Sequence, residues 1–270
     1  MFKDITLGQY VSGNSILHRT DARVKIILTL AFIIVLFLIS TPISYSLMIL
    51  FTLFIIVLSK IPVKFIIKGL KPLLFIIAFT VVINLFLTPG ETVWSKHLVG
   101  DFSLTITRQG IGMSVSMFLR LTLLVCATSL LTLTTKPLML TDAIERLLKP
   151  FEIIKVPAHE IAMMMSIAIR FIPTLAEETD KIIKAQKARG ADFESKNIIN
   201  RAKAMIPLLI PLFVSAFRRA DELAAAMDSR CYNGGINRTR MKEMKMCELD
   251  WYVLVFCIVY FSALLVIQLL

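Results

Sequence analysis

Residues 26–59 read IILTLAFIIVLFLISTPISYSLMILFTLFIIVLS, 34 positions without a charge between Lys25 and Lys60. As one helix they would reach about 51 Å, too long for a hydrocarbon core of about 30 Å. Ser40-Thr41-Pro42 interrupts the run at its middle, because proline removes a backbone donor and disfavours helix in the residue before it. The stretch reads as two short membrane helices joined as a hairpin, and the chain as an all-α integral membrane protein.

Working outward, Pro72 to Gly90 and Trp251 to Leu270 are further uncharged runs, and Gln109 to Thr135 is another with Arg120 as its single charge. The sum is five crossings. The composition agrees: 57% of the 270 residues are hydrophobic and 18% charged, against about 25% charged in ordinary soluble domains. Lys and Arg set the orientation, since their excess marks the cytoplasmic side. Residues 1–25, 59–71 and 134–250 hold 27 of them, while 40–44, 89–109 and the C-terminal end hold two. The N-terminus is expected in the cytoplasm and the C-terminus outside. The expected organisation is membrane helices over 1–135, a cytoplasmic domain over 136–250, and a last membrane helix over 251–270.

The net charge of +11 follows from contact with anionic lipid at the cytoplasmic face. Nucleic acid is not an expected partner, because residues 134–250 mix 19 basic with 15 acidic side chains and lack an aromatic-and-basic stacking pattern. Met1 to Gly13 has no apolar core with a cleavage site, so no removable signal peptide is expected. Cys126, Cys231, Cys247 and Cys257 have neither zinc-site spacing nor the density of a disulfide scaffold, and read as reduced.

The cytoplasmic segment has helical periodicity. Thr141-Asp142 with Glu145 reads as a helix start, and Lys149-Pro150 as its end. Long amphipathic helices are expected from about Ala158 to Ala188, bent or broken near Pro173, and from about Asn200 to Arg230, with Pro207 and Pro211 inside. Ala204 to Phe217 is uncharged, but it has only 14 residues and basic residues at both ends. It reads as a helix lying at the membrane surface and not as a span.

These two helices end alike. Asp180 precedes Arg189 by nine residues, and Asp221 precedes Arg230 by nine; Ala185 matches Ala226 at the same offset of 41. The first end is Ala188-Arg189-Gly190 and the second Ser229-Arg230-Cys231, followed by Gly234-Gly235. Each arginine could merely complement its helix C-terminus. The duplication favours a second reading, in which two cations are presented to two similar partners, the planar guanidinium being suited to bidentate bonds with carboxylates.

Gly8-Gln9-Tyr10, Gly13, Ser15, Leu17-His18-Arg19, Asp21, Arg23 and Lys25, then Leu131 to Thr135, Arg170-Phe171-Ile172-Pro173 and the two arginine triplets, resemble the transmembrane T component of energy-coupling factor (ECF) transporters. These are ABC-type importers of vitamins and transition metals, and the resemblance covers nearly the whole chain. Val11-Ser12 departs from the more usual proline-containing form, and Ser229 and Cys231 replace commoner small residues. The resemblance implies a bacterial plasma-membrane protein whose two long helices are coupling helices. They would dock on two cytoplasmic ATPases that carry the ATP and Mg, while the membrane part would hold a separate substrate-binding S component. It implies no enzymatic activity and no cofactor bound by this chain, and its signature inclines toward the vitamin-type systems.

Three other readings compete. Gly8-x-x-x-x-Gly13-Asn14-Ser15 lacks the lysine of a phosphate-binding loop. His18, His97 and His159 fall in separate segments without metal-ligand spacing. A self-sufficient secondary transporter would centre on Arg120, since intramembrane charge is costly and often functional; its alternative is internal pairing or snorkelling. Asn84, Ser114, Ser116 and Thr122 are too sparse for a substrate path. Met163, Met164, Met165 and Met227 read as packing, or else as an adaptable apolar surface.

Overall fold

The computed structural model describes residues 10–99, 102–154, 157–191, 193, 197–234 and 245–269. Met1, Gly8, Gln9, Gly235 and Leu270, named in the sequence reading, lie outside the described residues. The described residues of Gln9–Lys136 and Met244–Leu270 make one compact unit, and those of Pro137–Glu243 make a second.

The first unit begins with a single turn, α1 (Ile16–Arg19), capped by Ser15. The uncharged stretch then forms α2 (Ala22–Leu38) and α3 (Pro42–Ser59). The joint is where proline requires it: Thr41 is the N-cap of α3, its side chain accepts from the Ser44 N–H, and Pro42 occupies the first turn, where its missing donor costs nothing. A short helix α4 (Val63–Leu70), a 3₁₀ turn over Lys71–Leu73 and α5 (Leu74–Leu87) follow. Beyond a hairpin come α6 (Arg108–Thr134) and, at the end of the chain, α10 (Glu248–Leu269).

Among the described residues four stretches are long and apolar enough to cross a membrane: Pro42–Ser59, Val63–Leu87, Arg108–Thr134 and Glu248–Leu269. The 17 residues of α2 give about 25 Å of helix. The span expected at Pro72 begins nine residues earlier, at Val63. Pro72 lies in the 3₁₀ turn, where it shortens the local hydrogen bonding without ending the run, and Lys64 and Lys68 stay exposed, as long cationic side chains do at a membrane edge.

Buried side chains of α2 (Phe32, Val35, Leu36), α3 (Tyr45, Met48, Phe51), α6 (Leu123) and α10 (Cys257, Phe261, Leu264) share one cluster. Phe51 is stacked on Tyr260, with ring centroids 4.6 Å apart. A second cluster joins Ile61 and Ile66 to Cys126, Leu130 and Leu133 of α6. There α4 approaches closely: a Cβ at Gly69 would lie 2.9 Å from Ser129 Oγ. Helix α5 packs along α6, and only 6% of the apolar window in Val63–Leu87 is buried. All four cysteines are free.

The all-α reading left out a small element. β1 (Thr92–Val99) and β2 (Phe102–Thr107) pair antiparallel, with Trp94 opposite Ile106 and Val99 opposite Phe102.

Polar side chains tie the ends of this unit. The Gln268 side-chain carbonyl accepts from the Ser40 and Thr41 N–H groups at 3.1 and 3.2 Å. Buried Asp250 accepts from the Asp21 and Cys247 N–H groups, both at 2.8 Å. Lys25 Nζ donates to the Thr134 carbonyl at 3.1 Å, which occupies an orphan carbonyl at the end of α6. The Val11 N–H donates to the Leu133 carbonyl at 3.0 Å, and the His18 ring contacts Ser15 Oγ and the Val11 carbonyl.

In the second unit α7 spans Pro137–Leu148, α8 spans Ala158–Ala188 and α9 spans Ile198–Asp228. The start of α7 is a correction: it begins at Pro137, four residues before Thr141. Thr141 is buried, and its hydroxyl donates back to the Pro137 carbonyl at 3.1 Å, so it serves the helix interior and not its cap. Pro173, Pro207 and Pro211 lie inside continuous helices.

Candidate functional site

Helices α8 and α9 are each 31 residues long and pack on one another. Arg219 Nη2 of α9 donates to Glu178 Oε2 of α8 at 2.7 Å, across a sequence separation of 41. That is the offset relating their two ends, so the helices meet through matched positions.

The ends match atom for atom in the backbone. After α8, the Gly190 N–H donates to the Lys187 carbonyl at 3.0 Å and the Ala191 N–H to the Gln186 carbonyl at 3.0 Å. After α9, the Cys231 N–H donates to the Asp228 carbonyl at 2.9 Å and the Tyr232 N–H to the Met227 carbonyl at 3.1 Å. Each pair is a Schellman closure, which needs a left-handed residue at its turn. Gly190 has φ of 88° and Cys231 φ of 55°. Glycine takes that conformation freely, whereas a side chain there carries strain. Arg189 and Arg230 each stand immediately before the left-handed residue, where the chain leaves the helix axis.

Ala188, Arg189, Gly190, Ser229, Arg230 and Cys231 are all exposed. Among the described residues neither guanidinium has an ion-pair partner. Asp180 is half-buried and Asp221 exposed, and among the described residues neither pairs with its arginine. The caps are made by main chain, and both arginine side chains are left for other use.

The structure also joins residues that the sequence keeps apart. Met163, Ile167 and Arg170 of α8 line an open groove of about 580 Å³ together with Met227, Arg230 and Tyr232. Of the methionines, Met163 and Met227 meet here, while Met164 and Met165 are exposed. One wall is anchored: the Tyr232 hydroxyl is 3.3 Å from His159 Nε2, and His159 Nδ1 is 3.1 Å from Glu145 Oε1 of α7. A lone histidine and a lone tyrosine carry no spacing signal, so this chain of contacts was not readable beforehand.

Arg120 lies in the first unit. Its Nη2 donates to the Ile39 carbonyl at 3.2 Å and to the Tyr45 hydroxyl at 3.0 Å, and its guanidinium carbon is 5.3 Å from the centroid of Phe37. Its buried Nε has no partner among the described residues. Of the other polar groups in these helices, Asn84 donates to the Thr80 carbonyl, Ser114 to Val81 and Ser116 to Gly112. Among the described residues no three His, Cys, Asp or Glu side chains are grouped to hold a metal.

Comparison with known proteins gives a consistent result. Residues 13–242 match the family model described as CbiQ, cobalt transport protein. The chain is 55% identical over 268 residues to the energy-coupling factor transporter transmembrane protein EcfT of Ruminiclostridium cellulolyticum, covering 99% of this chain and 98% of the relative. It is 54% identical over 248 residues to the protein of that name from Thermosediminibacter oceani, with 92% of each chain covered. For that of Clostridium kluyveri the identity is 53% over 251 residues, with 93% of this chain and 92% of the relative covered.

Proposed function

Because this chain belongs to the EcfT family, the transmembrane components of energy-coupling factor transporters, we propose that it is a non-catalytic coupling scaffold. In this reading two cytoplasmic ABC ATPases bind and hydrolyse ATP with Mg, and α8 and α9 receive their motion. The membrane helices pass that motion to a separate S component that binds the substrate. The observation that carries the reading is the matched pair of helix ends, each presenting one exposed arginine with its backbone already satisfied. Two such cations suit acidic grooves on two similar partners.

The scaffold reading places residues 1–135 and 251–270 in a bacterial plasma membrane and 136–250 in the cytoplasm as the coupling domain. Helix α2 is the fifth crossing, which leaves the N-terminus inside and the C-terminus outside. Exposed apolar residues on α5, among them Phe75 and Phe79 at 78% and 59%, face lipid or the S component. The transported substrate is a vitamin or another micronutrient, chosen by the S component. The secondary-transporter alternative loses support because Arg120 is engaged by Ile39 and Tyr45.

The test is to purify the tagged chain from native membranes in mild detergent and identify what accompanies it. Two ABC ATPases and a small membrane substrate binder are expected. Uptake by membranes holding this chain without any ATPase would overturn the proposal.

A further inference from the structure

We infer that the groove between α8 and the segment after α9 is a docking site for an ATPase segment that presents a carboxylate beside an apolar side chain, and that Arg170 and Arg230 hold that carboxylate together. This rests on the scaffold reading and adds to it a second arginine, outside both triplets, and the shape of the surface.

Arg170 and Arg230 line one groove from two separate helices, both are exposed, and neither has an ion-pair partner among the described residues. Two unneutralised guanidinium groups in one concavity repel each other, and an anion between them relieves that repulsion. The planar forks can share a carboxylate, each engaging one or both oxygens. Beneath the exposed cations, the half-buried Met163, Ile167 and Met227 supply an apolar floor, and methionine adapts to the shape of what enters. Charges outside with apolar surface further in match an acidic residue flanked by an apolar one on a protein.

The groove is also held open in advance. The left-handed turn at Cys231 carries the chain to Tyr232, whose N–H closes the helix end while its hydroxyl reaches His159, itself in contact with Glu145. A wall fixed before binding lowers the ordering cost of docking.

The experiment measures binding of the purified ATPase pair to the full chain with its S component, in nanodiscs of neutral lipid and, in parallel, in nanodiscs of anionic phospholipid. The variants are Arg170→Ala, Arg230→Ala, both together, and Arg170→Ala with Arg189→Ala. Arg170→Ala and Arg230→Ala are each expected to weaken binding about tenfold or more, and the pair together little beyond either alone, because both meet one carboxylate. Arg170→Ala and Arg189→Ala should multiply. Arg170→Lys should recover part of the loss, which separates charge from folding. Full effects of Arg230→Ala with none from Arg170→Ala, or multiplicative effects of the two, would overturn the shared site and leave the scaffold reading standing. No effect of Arg230→Ala or Arg189→Ala would remove the scaffold reading itself. Losses seen only in nanodiscs of anionic phospholipid would show that a lipid headgroup occupies the groove, and would overturn the proposal.

Discussion

Glu178 and Arg219 are 41 residues apart in sequence and 2.7 Å apart in space, and 41 is also the offset between Arg189 and Arg230. The ion pair joins α8 and α9 at matched positions, with glutamate on one and arginine on the other.

Arg219 is 29% and Glu178 26% exposed, so the contribution of the pair is modest. Glu178→Ala or Arg219→Ala should each cost about 0.5–1 kcal/mol, read as a lowered unfolding temperature of the detergent-solubilised protein. Exchanging the charges, with Glu178→Arg and Arg219→Glu together, should recover most of that loss. A swap as damaging as the sum of the singles would show that the two positions are not counterparts.

The left-handed residues separate the two ends. Gly190→Ala introduces a Cβ at φ of 88° and should cost about 1 kcal/mol, whereas Cys231→Gly relieves the same strain and should slow hydrogen exchange at the Tyr232 amide. Faster exchange there after Cys231→Gly would mean that the Cys231 side chain itself holds the turn.

Arg120 separates the scaffold from a self-sufficient carrier. Arg120→Met leaves the Ile39 carbonyl and the Tyr45 hydroxyl without their donor, at a cost of about 1–3 kcal/mol. Uptake should fall only as far as the amount of folded protein in the membrane falls. Full membrane levels with uptake abolished would return Arg120 to the centre of the mechanism.

Asp250 holds the start of α10 to the start of α2 through the Asp21 and Cys247 N–H groups. Asp250→Ala leaves both donors unpaired and should cost about 2 kcal/mol or more, visible as protease cleavage before Glu248. Unchanged protection would show that the apolar cluster alone seats α10.

The long helices were legible because their signals are local. Gly190 stops α8 where the sequence predicts, and Ser40-Thr41-Pro42 splits α2 from α3. Charge proved a poor guide to helix edges, since Lys64 and Lys68 sit in α4, inside a helical run that continues through the 3₁₀ turn and α5 to Leu87. The hairpin had a readable signal in Gly100-Asp101 between two β-prone runs. Cys231 gave no warning of its left-handed turn, since glycine is the usual residue there. The groove was beyond reach for a different reason: Met163 and Arg170 meet Met227 and Arg230 only through packing of α8 on α9, about 60 residues away in the chain.

Arg189 and Arg230 are proposed to couple ATPase motion to transport. The most direct measurement is substrate uptake by cells producing Arg189→Ala/Arg230→Ala at parental membrane levels. Burial of each arginine against a partner carboxylate predicts a loss of about 2–5 kcal/mol of docking or coupling per site. Uptake should fall strongly in each single variant and further in the double, with only partial rescue by lysine. If the arginines only complement their helix ends, the cost stays under about 1 kcal/mol, and uptake by the double variant at the parental rate would contradict the account.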